Sequence, residues 1–480
     1  MAQSTSMIGQ RKAMKEYEVV VIGGGPAGMS AALAAYENGA EKVLVIERDC
    51  KLGGVLEQCI HSGFGLHRFK EELTGPEYSE RYQELLMETN IEILVDTMVT
   101  GIEKSDGEFV VSCTGCSNGL LKVNGKAVVI STGCRERSRG ALNLPGTRPA
   151  GVYSAGTVQK MVNLMGLMPG RKAVILGSGD IGLIMARRLT LEGAEVKAVC
   201  EIMPDSGGLT RNIIQCLNDF NIPLYTSYTI REIHGKDRLK GVTICKVGSD
   251  LKPIAGTDEF IECDTLLLSV GLIPEVEVAE TIGVKTNAIG QGVSINVNRA
   301  TSEDGIFACG NVTKVHELVD IVSIEGEIAG KSAALYAQDI EIDAAFERRK
   351  YPSQQKGVDI LKANSSNVVI CTSCPNGCAV NVEMAVDEIL SCNGNKCPRG
   401  EEYARAELKR PTRVLTSTVL TSGRDLLPVK SDKPLPKDSI VDIIKQLSKI
   451  TIEQPIRRGD VIMSNINGFD VNIVASKSLL

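Results

Sequence analysis

A short β-branched run, a glycine-rich turn and an alanine-rich or apolar helix occur twice in this chain, and the two turns begin 154 residues apart, at Gly23 and Gly177. No other feature restricts the fold as much. Residues 18–22 lead into Gly23-Gly-Gly-Pro-Ala-Gly28, a helix-favouring stretch at 29–37 and a buried strand at 42–47. Residues 173–176, Gly177-Ser-Gly-Asp-Ile-Gly182, 183–192 and 195–200 repeat that order. Each copy reads as a βαβ unit with parallel strands. The first glycine of each turn permits the tight bend, the second admits a pyrophosphate to the backbone N–H groups, and the third lets the helix pack on the strand. The phosphates then sit at the positive end of the helix.

An acid follows each turn at the same distance. Glu47 lies 19 residues beyond Gly28 and Glu201 lies 19 beyond Gly182, each at the end of a second strand, where a carboxylate accepts hydrogen bonds from ribose hydroxyls. No arginine follows Glu201 before Arg211, and its carboxylate would repel a 2′-phosphate, so NAD(H) is favoured over NADP(H) at the second turn. The plain alternative is a structural βαβ unit without a ligand; the presence of every element twice argues against it.

Between the copies, residues 91–131 alternate apolar and polar positions with glycine turns, which predicts an antiparallel meander inserted into the first domain and ending on Thr132-Gly133. A second hairpin region extends to about Pro274, followed by 301–311 and a helix-like 323–336. The expected fold class is α/β: two Rossmann-like dinucleotide-binding domains with an antiparallel β meander, plus a small β-rich C-terminal domain. The expected boundaries are 16–140 with 290–347 for the first dinucleotide-binding domain, 141–289 for the second, which takes NAD(H), 348–366 as a polar linker, and 367–480 as the cysteine-rich docking domain.

The two turns, Thr132-Gly133 and Gly305-Ile-Phe-Ala-Cys-Gly-Asn311 together resemble the two-dinucleotide-binding flavoproteins that include lipoamide dehydrogenase and thioredoxin reductase. The resemblance covers roughly residues 17–336. It implies FAD at Gly23, Gly25, Pro26, Ala27, Gly28, Glu47, Arg48, Gly54, Thr132, Gly133, Gly310 and Asn311. It implies NAD at Gly177, Gly179, Asp180, Ile181, Gly182, Glu201 and Gly271, with the nicotinamide docked on the flavin. In that family an aspartate meets the flavin's ribityl chain; here it is Asn311, whose amide can still hydrogen-bond a hydroxyl.

Disulfide reductases of this kind carry Cys-x4-Cys after a Gly-Gly. Here the glycines are Gly53-Gly54, and the cysteine positions fall on Leu56 and His61. Cys59 lies between them without a partner, and the second unit lacks Cys-x2-Cys, so no catalytic side chain is assigned and dithiol chemistry at the flavin is not expected. Cys59 and His61 remain candidate flavin neighbours. Cys59 reads either as a packing residue or as a thiol cycling through a sulfenic acid. Cys113-Thr-Gly-Cys116 has metal-like spacing but sits in the meander with no second pair nearby, and reads as structural.

The tail carries Cys371-Thr-Ser-Cys374-Pro-Asn-Gly-Cys378 and then Cys397-Pro-Arg-Gly400. Zinc ribbons usually present two Cys-x2-Cys knuckles, whereas three close sulfurs and a distant fourth suit a [4Fe-4S] cluster. The spacing looks like the N-terminal cluster domain of molybdopterin oxidoreductases, which favours Cys397 over Cys392 as the fourth ligand. Zinc is the alternative. The stretches 414–420, 427–430 and 459–473 read as short strands of a β-rich docking module.

Composition excludes other classes. A net charge of −6 over 480 residues offers no basic field for nucleic acid, and no apolar stretch approaches the ~20 residues of a membrane helix. Residues 1–15 lack the apolar centre of a secretory signal and faintly resemble a transit peptide; a frayed terminus, or an extension before an alternative start at Met14, is the simpler reading. The 15 cysteines, odd in number in a long chain, argue for a reducing cytoplasm rather than a secreted disulfide framework.

With Gln58-Cys-Ile-His-Ser-Gly-Phe-Gly65, Glu71-Glu-Leu-Thr-Gly-Pro-Glu-Tyr78 and the tail, the chain resembles bacterial NAD/FAD-dependent oxidoreductase subunits that accompany glycerol-3-phosphate dehydrogenases. That implies a hetero-oligomer in which an FAD-dependent glycerol-3-phosphate dehydrogenase-like partner exchanges electrons with NAD(H) through this FAD and the cluster. A rival is the NAD-linked subunit of a dye-linked proline or hydroxyproline dehydrogenase. A rival of another class is a flavoprotein scaffold with a zinc-holding tail.

Overall fold

The computed structural model describes residues 14–117, 119–287, 292–342, 368–385 and 388–479. Most of the opening segment and the expected linker 348–366 lie outside the described residues. The chain divides into two compact units. The first holds residues 14–54, 81–134 and 274–342, and the second holds 55–80, 135–273 and 368–479. By packing, the cysteine-rich region therefore belongs with the second nucleotide unit.

In the first unit, strands Lys15–Ile22, Val43–Ile46, Glu92–Leu94 and Ile306–Ala308 are parallel members of one sheet that also contains the meander. The strand Gly119–Ile130 joins the two parts. It pairs parallel with Lys15–Ile22, Val20 opposite Val128, and antiparallel with Glu108–Gly115, Phe109 opposite Gly125. The near-continuous apolar runs of the central strands follow from burial on both faces, with Val20, Leu44 and Val128 fully enclosed.

Helix Pro26–Glu37 packs on helix Val319–Ala337. The approach is close because small residues face each other: a Cβ on Gly330 would lie 1.9 Å from the Ala31 carbonyl oxygen, and one on Gly326 would lie 2.3 Å from that of Ala27.

The second unit is built on a parallel sheet in the order Val152–Ser154, Thr265–Leu268, Lys172–Leu176, Glu195–Glu201, Leu224–Thr226. Helices Ala155–Met165 and Asp180–Leu191 cover it, burying Val158, Leu183 and Leu189 against Ile175, Val199 and Leu267. A smaller antiparallel sheet, Tyr228–Gly235, Leu239–Lys246 and Glu259–Ile261, is the expected second hairpin region.

The tail differs from a purely β-rich module. Strands Val368–Ile370, Ala379–Ala385 and Glu388–Asn393 carry the cysteine region and a five-stranded sheet follows, but helix Pro398–Lys409 lies between the two and helix Ile440–Leu447 connects strands of the sheet. Ile440, Ile443, Ile444 and Leu447 recur at helical spacing and are all buried. Only eight residues long, this helix is short enough to be overlooked among strand signals. Arg413, 4% exposed, fastens the tail: Asp219 of the nucleotide domain accepts from its Nε at 2.7 Å and Glu407 from its Nη1 at 2.7 Å. No helix among the described residues is long and apolar enough to cross a membrane.

Candidate active site

The first turn is shaped for a phosphate. Gly23 has φ +105°, and a Cβ on Gly28 would lie 1.8 Å from the Gly23 carbonyl oxygen, so glycine is required at both. Helix Pro26–Glu37 opens with Pro26 at its first position, no side-chain cap at Gly25 and no acid in its first turn. Its free N–H groups and dipole are left for an anion. Glu47, 6% exposed, accepts from Gly24 N at 2.7 Å through Oε2 and from Asp49 N at 2.8 Å through Oε1. Each oxygen retains acceptor capacity for a ribose hydroxyl.

The second turn repeats this. Gly177 has φ +98°, and a Cβ on Gly182 would lie 2.5 Å from the Gly177 carbonyl oxygen. Glu201 accepts from Ser178 N at 2.9 Å, Ser178 Oγ at 2.7 Å and Met203 N at 3.0 Å. Asp180 points elsewhere: its Oδ1 accepts from Leu209 N at 2.8 Å and Asn212 Nδ2 at 2.7 Å, which fixes the loop beside the turn. Gly179 and Ile181 flank it, and Gly271, at φ +98°, accepts from Arg137 N.

Beyond Thr132 and Gly133, a residue that no sequence motif singles out organises the first site. Glu275 accepts from Arg48 Nη1 at 2.9 Å, and its backbone accepts from Thr132 Oγ1 at 2.7 Å and donates to Gly133 O at 3.0 Å. Gly53 N donates to Gly24 O, holding Gly54 against Gly25.

Asn311 accepts from His316 N at 2.9 Å, and its Nδ2 lies 3.6 Å from Cys134 Sγ. Beside it, Gly310 N donates to Glu325 at 3.0 Å, and Glu325 also meets Arg299 at 3.2 Å and His316 at 3.1 Å. Burial pushes the Glu325 carboxyl up, but His316, Arg299 and the Gly310 N–H outweigh it and hold it below the usual range. An acid inside the apolar helix Val319–Ala337 was the signal available for Glu325.

Cys59 and His61 both lie in the second unit. Burial pushes the Cys59 thiol up to about 12, and its Sγ sits 3.8 Å from Gln159 Oε1, so it is protonated at neutral pH. Burial lowers His61 to about 4, which leaves a neutral imidazole. Cys113 is buried in strand Glu108–Gly115 with its thiol pushed up to about 11, as a packing residue would be, while Cys116 is exposed.

The tail cysteines are gathered by the backbone. Cys371 N donates to Cys378 O at 2.8 Å, closing the loop that contains Cys374, and Cys397 caps helix Pro398–Lys409, which packs on the same strands. Arg399 is hydrogen-bonded to Cys397 and lies in the field of Cys374 and Cys371, all of which raise its pKa. Among the described residues no group of three His, Cys, Asp or Glu side chains is placed to hold a metal ion. The donor types and loop topology fit a thiolate-held centre; closed ligand geometry is not present.

The family model for pyridine nucleotide-disulphide oxidoreductases matches residues 17–326. The chain belongs to that family. This pyridine nucleotide-disulphide oxidoreductase is an FAD-dependent oxidoreductase that uses NAD(P)H. A second model, for a protein of unknown function (DUF1667), matches residues 398–477. Hydrogen cyanide synthase subunit HcnB of Pseudomonas protegens is 26% identical over 69% of this chain and 73% of its own length. An alkyl hydroperoxide reductase subunit of Staphylococcus epidermidis is 28% identical over 67% of this chain, which spans only 59% of that relative. Thioredoxin reductase of T. acidophilum has the same fold over 68% of this chain and 100% of its own, at TM-score 0.56 and 24% identity.

Proposed function

We propose that this oxidoreductase is the NAD(H)-linked subunit of an electron-transfer complex and carries a [4Fe-4S] cluster on Cys371, Cys374, Cys378 and Cys397. One observation supports the reading: the backbone bond from Cys371 to Cys378 closes a loop around Cys374, and Arg399 lies in the field of Cys371, Cys374 and Cys397, in a family member whose redox-pair positions are Leu56 and His61. Bound flavin exchanges a hydride with nicotinamide and single electrons with an iron–sulfur centre. The residues do the rest. Glu47 and Glu201 select ribose hydroxyls, the two helix N-termini hold phosphates, and Arg399 offsets thiolate charge.

The partner is a flavoprotein oxidising glycerol 3-phosphate, whose two electrons reduce NAD⁺ to NADH with release of one proton. The resemblance of the whole arrangement to such subunits supports this, as does the naming of two curated relatives as subunits. Iron analysis of anaerobically purified chain should find about four irons per FAD. Zinc without iron removes the cluster. Co-purification with a second flavoprotein should yield glycerol-3-phosphate-dependent dye reduction; proline-dependent reduction instead would replace the partner.

A further inference from the structure

A cavity of about 330 Å³ lies within the second unit, against the nucleotide-binding helix Asp180–Leu191, the helix Thr210–Cys216 and the cysteine loop. Its size is at the lower end for small-molecule sites. Five arginines line it, at 187, 188, 211, 399 and 413, against a single acid, Glu72. Two are neutralised: Arg188 pairs with Glu192 at 2.8 Å, and Arg413 with Asp219 and Glu407. Arg211 is loosely paired, 3.6 Å from Glu72.

Arg187 has no carboxylate within pairing distance among the described residues. Its Nη2 reaches the Val414 carbonyl at 3.3 Å, while its Nε is enclosed and has no hydrogen-bond partner among the described residues. A guanidinium enclosed without a carboxylate paired to it is costly; Arg187 feels the more distant Asp219, itself paired with Arg413, and lies in the fields of both Arg413 and Arg211. An anion in the cavity relieves that cost. Ile60, Ile184 and Val414 supply apolar wall for the body of a ligand.

We infer that this cavity binds a small organic oxyanion, with its phosphate or carboxylate group held by Arg187 and Arg211. The site is separate from the dinucleotide turn. Arg187 is seven residues past Asp180 and so about 10 Å further along the helix. Thr372 and Ser373, which separate Cys371 from Cys374, also line it, so a bound anion would touch the loop that carries the thiols. Such an anion site needs neither iron nor a particular partner protein.

The test uses the full chain with FAD, saturated with NAD⁺ to occupy the dinucleotide turn. Inorganic phosphate and succinate are titrated separately by calorimetry, which distinguishes the phosphate from the carboxylate source. One of them should bind, and Arg187→Gln should weaken it by about tenfold or more, as loss of a charged hydrogen bond predicts. Exposed Lys252→Gln should leave binding unchanged. Absence of binding by both probes, or equal affinity in Arg187→Gln, overturns the inference. If Arg187→Gln does not retain FAD, phenylglyoxal modification of Arg187 in the wild type decides: protection by the bound probe supports the site, and modification unaffected by either probe overturns it.

Discussion

Glu201 holds Ser178 twice, through its backbone N–H at 2.9 Å and its hydroxyl at 2.7 Å. The carboxylate is thereby fixed beside the second glycine turn, where, on the proposed assignment, it would meet the ribose of a bound nicotinamide dinucleotide and oppose a 2′-phosphate. NADH should therefore reduce the flavin faster than NADPH. Glu201→Arg should lower the NADH/NADPH ratio of kcat/KM by about tenfold or more. Stopped-flow reduction that is faster with NADPH in the wild type would contradict the assignment.

Cys59 should be dispensable. Its thiol is buried, pushed up to about 12 and next to Gln159 rather than to another sulfur. Cys59→Ser should keep FAD and reduce a small dye with NADH at the wild-type rate. Loss of that activity with FAD still bound would make the thiol catalytic.

His61 gives the fold a pH dependence. Its imidazole, lowered by burial from 6.5 to about 4, stays neutral in the folded chain while the unfolded chain takes up a proton below about 6.5. Stability is thus fully present above that range and falls as pH drops towards about 4, by about 2 kcal/mol for a partly exposed ring. Thermal melts across this window should show a shallower slope in His61→Gln than in the wild type. Parallel slopes would mean that another group carries the dependence.

Replacing one tail cysteine should separate the two redox functions. Cys397→Ser should bleach the broad iron–sulfur absorbance and abolish electron transfer from the partner. The FAD site, formed by residues before 340, should stay loaded, and NADH-driven dye reduction should persist. Cys392, half-buried on strand Glu388–Asn393 opposite Val382, is the control, and its serine variant should change little. Full partner-linked activity in Cys397→Ser would exclude the cluster from the path.

Much of the fold and of the nucleotide turns is legible in the sequence because their determinants are local. Gly23, Gly28, Gly177 and Gly182 are demanded by turn angle and helix approach, and Glu47 and Glu201 fall at a set distance along the chain. Continuous apolar runs mark the parallel strands, and helix-favouring composition marks the stretch after the first turn. Composition alone rules out a field for nucleic acid.

Contacts between residues far apart in sequence were decided by the tertiary structure. Glu275 meets Arg48 across 227 positions, and Arg413 meets Asp219 across 194. Neither pair is visible to a local pattern, because an ion pair depends on where the folded backbone brings two side chains and on how far burial removes water from them. The same reason hid the arginine cavity: Arg187, Arg211 and Arg399 are unremarkable as sequence, and only packing puts them around one space with the Nε of Arg187 left without a hydrogen-bond partner among the described residues.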